Sequence, residues 1–214
     1  MNDDFNSLKE LLSLPIQITI TSHQKPDGDA MGSSLALYSY LIQQGHRVKV
    51  IVPTDFPAYF NWMPGVPEML VYPDQKEISN EWIKSSDLIC CLDFNVLSRI
   101  HPMDEIVKEA NKPILLIDHH LQPDTFDWML HDVKSSSTCE LIYRFIHIME
   151  PNPEINLETA QCIYTGLLTD TGNFQNGATN KNVFLIVADL MDKGLNIQFV
   201  QQNLNQNSTE SKLR

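Results

Sequence analysis

The chain has 214 residues, of which 43% are hydrophobic, and its formal net charge is −12. This length and composition suit one domain with a substantial buried core. The acidic balance argues against a basic groove for long nucleic acids, but it is compatible with short phosphorylated substrates that bind through cations.

The cysteines and the apolar runs indicate the cellular compartment in which we expect the protein. None of the four cysteines forms a C-x-x-C pair, and Cys90 and Cys91 lie inside an apolar run, so we expect reduced, structural thiols. We find no secretory leader at the start of the sequence, and no apolar run reaches the length of a membrane span. We therefore expect a cytoplasmic protein without membrane contact.

The predicted elements alternate between helices and strands along the chain. Hydrophobic patterns predict helices at 4–14, 29–44, 78–84, 96–110, 137–149, 157–169 and 181–193, and strands at 16–22, 48–52, 69–72, 87–92, 113–117 and 128–133. The proline-rich and aromatic segment 53–68 predicts irregular structure with one helical turn. The glutamine- and asparagine-rich tail 196–214 predicts a helix that gives way to a linker. The alternation predicts an α/β fold: a mostly parallel sheet with helices on both faces, in a Rossmann-like three-layer arrangement.

Three of the predicted strands lead into side chains that can bind a metal ion. Strand 16–22 is followed by His23, Asp27 and Asp29, strand 87–92 by Asp93, and strand 113–117 by Asp118-His119-His120. Ligands of open α/β sheets bind at the carboxyl ends of the strands, so these residues are candidates for one common site.

Each of these motifs also has an ordinary structural explanation. Asp27 and Asp29 suit a solvated proline-glycine turn, although residues two apart in an extended segment also face the same way. Asp93 suits an N-cap of the next helix. The two histidines suit a polar loop in which one of them bonds to a neighbour.

A fourth motif is Thr169-Asp170-Thr171-Gly172, at the end of the predicted helix 157–169. The negative charge of Asp170 opposes the helix dipole there and requires compensation, which a cation would supply. The alternative is an exposed helix end, where the cost of the charge is small.

Together the motifs supply four carboxylates and two imidazoles as candidate metal ligands. A mostly oxygen donor set with some imidazole suits Mn²⁺, with Mg²⁺, Co²⁺ or Fe²⁺ as alternatives. Six ligands with bridging carboxylates suit two divalent ions about 3.5–4 Å apart, a pair that activates water and stabilises both oxygens of a phosphoryl displacement. The candidate ligands are His23, Asp27, Asp29, Asp93, His119 and Asp170.

At these motifs the sequence resembles the DHH phosphoesterase superfamily. The similarity is greatest to its RecJ-like branch of bacterial nanoRNases (oligoribonucleases) and 3′-phosphoadenosine 5′-phosphate phosphatases, and it covers residues 16–195. The motifs occur in the family's order: His-x-x-x-Asp-Gly-Asp-Ala at 23–30, Leu-Asp at 92–93, Asp-His-His at 118–120 and Tyr-Thr-Gly-Leu-Leu-Thr-Asp-Thr-Gly-x-Phe at 164–174.

The resemblance implies a role for each candidate residue. One metal ion would be bound by His23, Asp27, Asp93 and Asp170, and the other by Asp29, Asp93, His119 and Asp170, so that Asp93 and Asp170 bridge. His120 would contact the scissile phosphate and protonate the leaving oxygen, while Asp118 would orient a histidine. Family members keep small polar and basic groups near the site at the positions of Ser135–Thr138 and Arg99, and of these we expect Arg99, Ser136 and Ser137 to contact substrate.

The resemblance also implies a function. We expect a two-metal phosphoesterase that hydrolyses short single-stranded oligonucleotides, 3′-phosphoadenosine 5′-phosphate, or both. Pyrophosphate, polyphosphate or a cyclic dinucleotide is the alternative substrate. A non-catalytic nucleotide-binding regulatory module is the alternative from another functional class, and a homodimeric assembly stays open.

The domain organisation departs from that of the family. We expect residues 1–195 to form the catalytic domain and residues 196–214 to begin an interdomain linker. Family members carry a second, C-terminal domain whose glycine-rich, histidine-containing motif binds substrate, and we find no such motif here. We therefore expect that this C-terminal domain is absent from the chain: either the chain is part of a longer protein, or it lacks the substrate-binding motif. By itself we expect it to bind metals but to turn over substrate poorly.

Overall fold

The structure is a computed structural model that describes residues 5–211, and in its last helix it describes side chains as far as residue 205. The strands are β1 (Gln17–Ser22), β2 (Arg47–Val52), β3 (Leu70–Val71), β4 (Leu88–Leu92), β5 (Ile114–Asp118) and β6 (Trp128–His131). The α-helices are α1 (Asn6–Leu11), α2 (Gly28–Gln43), α3 (Lys76–Ser85), α4 (Asp104–Ala110), α5 (Thr138–Met149), α6 (Leu157–Asp170), α7 (Lys181–Asp192) and α8 (Ile197–Ser211). Short 3₁₀ helices cover Ala58–Phe60, Val66–Glu68 and Leu97–Ile100.

The six strands form one sheet in the order β3-β2-β1-β4-β5-β6, and every neighbouring pair is parallel. The predicted α/β fold with a mostly parallel sheet is therefore confirmed. The order places β1, β4 and β5 side by side in the middle of the sheet. Their carboxyl ends therefore lie next to one another at one edge.

Helices cover both faces of the sheet, and this explains the unbroken apolar runs. Successive residues of a strand point to opposite faces. Cys90 accordingly belongs to the larger hydrophobic cluster, which includes residues of α2, α5 and α6. Cys91 belongs to a second cluster with Ile83 of α3 and Val107 of α4. All four cysteines are buried and unpaired, as expected of structural thiols.

Helices α2 and α6 pack with their backbones in close approach. A Cβ atom on Gly32 would lie 2.6 Å from the Cys162 carbonyl oxygen and 2.9 Å from the Gly166 amide nitrogen, both of them backbone atoms of α6. Only glycine fits at such distances. This contact brings the start of α2 and the end of α6 to the same edge of the sheet.

Three predicted segments differ in the structure. The predicted helix over 96–110 is wrong: the segment forms the 3₁₀ helix Leu97–Ile100 and then α4, because Pro102 lacks an N–H and restricts the residue before it. In the tail, α8 extends over 197–211, and Val200 and Leu204 are buried in the larger cluster. The domain boundary after residue 195 stays a prediction. The predicted helix over 4–14 is shorter, at Asn6–Leu11, and residue 4 lies outside the described residues.

The described helices do not have the dimensions of membrane spans. Within residues 5–211, none combines the length and the apolar character that a membrane span requires.

Candidate metal centre

The site begins at the carboxyl ends of the three central strands. His23 directly follows β1, Asp93 directly follows β4, and Asp118 is the last residue of β5. The Asp93 amide donates a hydrogen bond to the Ile117 carbonyl of β5, at 3.1 Å, so the chain leaves β4 alongside β5. Asp170 arrives from the other direction, as the last residue of α6.

A first group of ligand atoms comes from His23, Asp27 and Asp93. His23 Nε2 lies 3.9 Å from Asp27 Oδ2 and 3.5 Å from Asp93 Oδ2. One ligand atom from each of the three residues falls within 4.8 Å of the others. The two carboxylate oxygens of Asp27 have different partners. Oδ2 faces His23, whereas Oδ1 accepts hydrogen bonds from the amides of Asp29 and Ala30 as the N-cap of α2.

A second group comes from Asp29, His119 and Asp170. His119 Nε2 lies 3.9 Å from Asp29 Oδ2 and 3.6 Å from Asp170 Oδ2, and the three residues again offer atoms within 4.8 Å of one another. The predicted extended geometry of Asp27 and Asp29 is wrong, because capping by Asp27 starts α2 at Gly28 and places Asp29 in its first turn. The two acids consequently point into different groups.

Asp93 lies between the two groups. Its Oδ2 faces His23, whereas its Oδ1 lies 3.7 Å from His119 Nε2 and 3.8 Å from His120 Nδ1. Its backbone has a φ of 64°, a left-handed conformation that costs about 1–3 kcal/mol in a non-glycine residue and that occurs most at functional sites. The N-cap explanation for Asp93 is wrong, since the N-cap position of the next helix is Val96.

The acids are buried and repel one another. Asp29 and Asp93 are only 1% and 2% exposed. Burial, reinforced by the charges of Asp93 and Asp170, raises the pKa of Asp29 well above its usual range. Burial also raises the pKa of Asp170 to about 6, although the charge of His119 opposes this shift.

The pKa of Asp93 shifts in the opposite direction, because neighbouring side chains donate hydrogen bonds to its carboxylate. Burial works to raise the pKa of Asp93, but hydrogen bonds from His23 and Thr138 outweigh it, and the pKa is lowered overall. A divalent cation would relieve the repulsion among these carboxylates. Carboxylate and imidazole donors at these separations fit such an ion, Mn²⁺ included.

Comparison with protein families identifies the fold. Residues 17–167 match the DHH family, N-terminal domain. The chain belongs to the DHH family. The matched range includes His23, Asp93 and His119 but ends before Asp170.

Relatives of this DHH-family chain are known by sequence. It is 30% identical over 184 residues to the bifunctional oligoribonuclease and PAP phosphatase NrnA of Thermus thermophilus, covering 84% of this chain and 51% of that protein. It is 27% identical over 165 residues to the protein of the same name from Bacillus subtilis, covering 76% of this chain and 49% of that protein. The chain thus spans about half the length of the curated relatives it matches.

Solved structures agree with this assignment. An exopolyphosphatase-related protein from Bacteroides fragilis superposes with a TM-score of 0.90 at 39% identity, covering 94% of this chain and 59% of that chain. The exonuclease RecJ bound to manganese has a TM-score of 0.53 at 14% identity, covering 87% of this chain and 46% of that chain, and therefore shares the fold alone.

The second histidine of the DHH triplet is held in place by the triplet's acid. Asp118 is fully buried, and its Oδ1 accepts a hydrogen bond from His120 Nδ1 at 2.7 Å. His131 Nε2 lies 2.6 Å from the His120 carbonyl oxygen and fixes the backbone there. With Nδ1 engaged, Nε2 is the nitrogen of His120 that can meet a substrate.

The three candidate substrate-binding residues differ in their exposure to solvent. Arg99 is exposed, and its carbonyl accepts a hydrogen bond from the Gln24 amide at 3.0 Å, which ties its turn to the loop after β1. Ser136 and Ser137 are buried, and Ser137 is the N-cap of α5. A contact of these residues with substrate stays a prediction.

The resemblance placed Thr138 in a run of small polar residues near the site, but the sequence reasoning did not predict its contacts with Asp29 and Asp93. Its hydroxyl donates to Asp93 Oδ1 at 2.8 Å, and its amide donates to Asp29 Oδ2 at 2.6 Å. The available signal was the run of hydroxyl residues 135–138 before a predicted helix. That run marks a helix N-terminus, but it does not reveal which acids the helix meets.

Proposed function

We propose that this chain is the catalytic domain of a two-metal phosphoesterase that hydrolyses short oligonucleotides and 3′-phosphoadenosine 5′-phosphate. The observation that carries the proposal is Asp93, whose two carboxylate oxygens face two different groups of candidate ligands. The relatives named oligoribonuclease and PAP phosphatase in Thermus thermophilus and Bacillus subtilis support the choice of substrate.

The proposed ligands divide between two cations. His23 and Asp27 would bind one ion and Asp29 and His119 the other, while Asp93 and Asp170 would be shared. Mn²⁺ is the proposed ion, because the donors suit it and because a protein of this fold, RecJ, binds manganese. When bound, the two cations would activate the attacking water and neutralise charge on the phosphoryl oxygens.

His120 supplies the proton for the leaving group in this proposal. The hydrogen bond to Asp118 raises the pKa of His120, although burial opposes the shift. A raised pKa keeps the imidazolium present closer to neutral pH, where a general acid must hold its proton. His120 Nε2 would contact the scissile phosphate and transfer its proton to the leaving oxygen as the phosphorus–oxygen bond breaks.

Polyphosphate hydrolysis is the second candidate. The structure that superposes with a TM-score of 0.90 and 39% identity is described as exopolyphosphatase-related. The two groups of candidate metal ligands would suit either substrate, because both reactions displace an oxygen from phosphorus. The substrates differ in whether a nucleoside must be bound.

The test is hydrolysis by the full chain loaded with Mn²⁺. The bound metal is first counted by elemental analysis, and enzyme in excess is then mixed with a 5′-phosphorylated RNA dinucleotide, 3′-phosphoadenosine 5′-phosphate, pyrophosphate or polyphosphate. We expect cleavage of the first two substrates and none in Asp93→Asn. Cleavage of polyphosphate alone would replace the proposal with the second candidate. Nucleotide binding without turnover by a chain that holds two ions would favour a regulatory module.

Two further expectations accompany the proposal. A homodimeric assembly is tested by light scattering on the purified chain, where a mass near twice that of the protomer supports it. A cytoplasmic location is tested by fractionation of the source cells.

A further inference from the structure

One short segment contacts three of the proposed metal ligands. We name residues 135–139, which lead into and begin α5, the support segment. The Ser135 carbonyl oxygen lies 3.4 Å from His119 Nδ1. The amides of Thr138 and Cys139 donate to the two oxygens of Asp29, at 2.6 Å and 2.9 Å.

Thr138 contributes its side chain as well as its amide to the contacts of the support segment. Its hydroxyl lies 2.8 Å from Asp93 Oδ1, and since an ionised carboxylate only accepts hydrogen bonds, the hydroxyl is the donor. Thr138 is fully buried at the first position of α5, so solvent does not compete for this bond. A single residue therefore joins Asp29 to Asp93.

This bond restrains the torsion that sets which way each carboxylate oxygen of Asp93 faces. Rotation about the Cβ–Cγ bond of an aspartate is broad and has little intrinsic preference. In the structure, Oδ1 is held by Thr138 while Oδ2 faces His23 at 3.5 Å. Without the hydroxyl, the carboxylate would be free to turn away from one of the two ligand groups.

We propose that Thr138 is a positioning residue that holds Asp93 in the orientation in which it bridges the two ligand groups. The proposal rests on the proposed function, because it requires that both groups bind divalent cations. Residues that orient metal ligands typically contribute about 10–100-fold to metal affinity.

The experiment removes the hydroxyl and keeps the shape. Thr138→Val deletes the donor, and Thr138→Ser retains it. Thr159→Val is the matched control, because Thr159 is also buried in the first turn of a helix, α6, and its hydroxyl has no hydrogen-bond partner in the described structure. Mn²⁺ binding is measured by titration calorimetry, and the coupling between paired Mn²⁺ ions by electron paramagnetic resonance.

We expect Thr138→Val to weaken Mn²⁺ binding by about 10–100-fold and to lose the coupled signal at ion concentrations where the wild type shows it. Thr138→Ser should stay within a few-fold of the wild type, and Thr159→Val should match the wild type. Two-ion binding of normal affinity by Thr138→Val would overturn this proposal alone. A wild-type chain that binds no Mn²⁺ would overturn the proposed function as well.

A second pair of variants covers a failure of Thr138→Val to fold. Thr138→Ala and Thr138→Ser both lack the methyl group, and they differ in the hydroxyl. Weaker Mn²⁺ binding by the alanine variant alone would support the proposal, and equal binding by both would overturn it.

Discussion

The two edges of the parallel sheet both carry aspartates, but they use them differently. At the amino edge, Asp87 precedes β4 and Asp127 precedes β6, and both are exposed. Asp87 Oδ2 accepts a hydrogen bond from the amide of Gln17, the first residue of β1, at 2.9 Å. Asp127 Oδ2 does the same for Ile114, the first residue of β5, at 2.8 Å. Each acid is paired with the start of a neighbouring strand.

At the carboxyl edge, Asp29 and Asp93 are buried and face imidazoles and other carboxylates. Asp93 lies within 4 Å of His23, His119 and His120, while Asp29 accepts both of its close hydrogen bonds from the start of α5. Their pKa values are shifted in opposite directions as a result, upwards for Asp29 by burial and downwards for Asp93 by its donors.

Strand direction explains the difference between the edges. The first residues of parallel strands have backbone amides that need hydrogen-bond acceptors, so a carboxylate at the amino edge accepts hydrogen bonds from these amides. The last residues offer carbonyls, which cannot donate, and an acid at the carboxyl edge must find helix N-termini, imidazoles or a cation instead. An aspartate beside a strand is therefore a ligand candidate only at one of its ends.

The largest expected effect comes from exchanging one acid at each edge. Asp93→Asn should weaken Mn²⁺ binding by more than about 100-fold, since removal of a shared ligand costs more than the loss of a supporting group. Asparagine also tolerates the left-handed backbone of Asp93, so the fold is retained. Asp87→Asn keeps an acceptor for Gln17 and should leave Mn²⁺ affinity unchanged, with a stability loss below about 1 kcal/mol. Calorimetric Mn²⁺ titrations of both variants check this difference between the edges, and equal losses of Mn²⁺ affinity in the two variants would contradict it.

A smaller effect, on stability, is expected from adding a methyl group at Gly166, which packs beneath Asp29 at the carboxyl edge. A Cβ atom on Gly166 would lie 2.2 Å from Cys139 Sγ and 2.7 Å from Asp29 Oδ1. Gly166→Ala should therefore destabilise the protein by at least about 1–3 kcal/mol, because overpacking a rigid contact forces the backbone to shift. The free energy of unfolding in urea measures this.

Gly177 provides the control for Gly166. It lies in the exposed loop after α6, and a Cβ atom there would have no atom within 4 Å. Gly177→Ala should leave stability unchanged or raise it by up to about 1 kcal/mol, because alanine restricts the unfolded chain. A similar loss in both variants would show that the close packing at Gly166 is not what matters.

The smallest expected effect is on the pH dependence of the metal-free protein. The pKa of Asp170 is raised by burial to about 6, and that of Asp29 is raised as well, so the folded state binds more protons than the unfolded state above about pH 4. With a chelator present, the free energy of unfolding should therefore fall between pH 5 and pH 7.5, with Asp170 contributing roughly 1–2 kcal/mol after allowance for its partial exposure.

Two controls accompany the pH measurement. Asp170→Asn should make the fall with pH shallower, because one of the two acids whose pKa is raised is gone. Added Mn²⁺ should restore stability at pH 7.5, because a cation replaces the proton between the carboxylates. Stability that rises with pH in the chelated protein would contradict the picture of mutually repelling acids.

Local patterns in the sequence located most of the fold. The apolar runs ending at Leu92 and Ile117 could only be strands covered on both faces, since they are too short for helices and have no polar side. The motifs after β1, β4 and β5, together with the motif at the end of α6, contain every residue of the two groups, and metal binding by these residues stays a prediction. The same reasoning failed over 96–110, where one apolar periodicity spans Pro102 and hides the break in the helix.

The sequence by itself determined which residues come directly after the buried strands, because strand length and hydrophobic alternation are local properties. Only the tertiary structure decided that Asp27 and Asp29 enter different groups, that Asp93 faces both, and that Thr138 joins Asp29 to Asp93. The hydrogen bond from Thr138 to Asp29, for example, connects residues 109 positions apart. These relations depend on the start of α2 and on the close packing of α2 against α6, which no short window of the sequence contains.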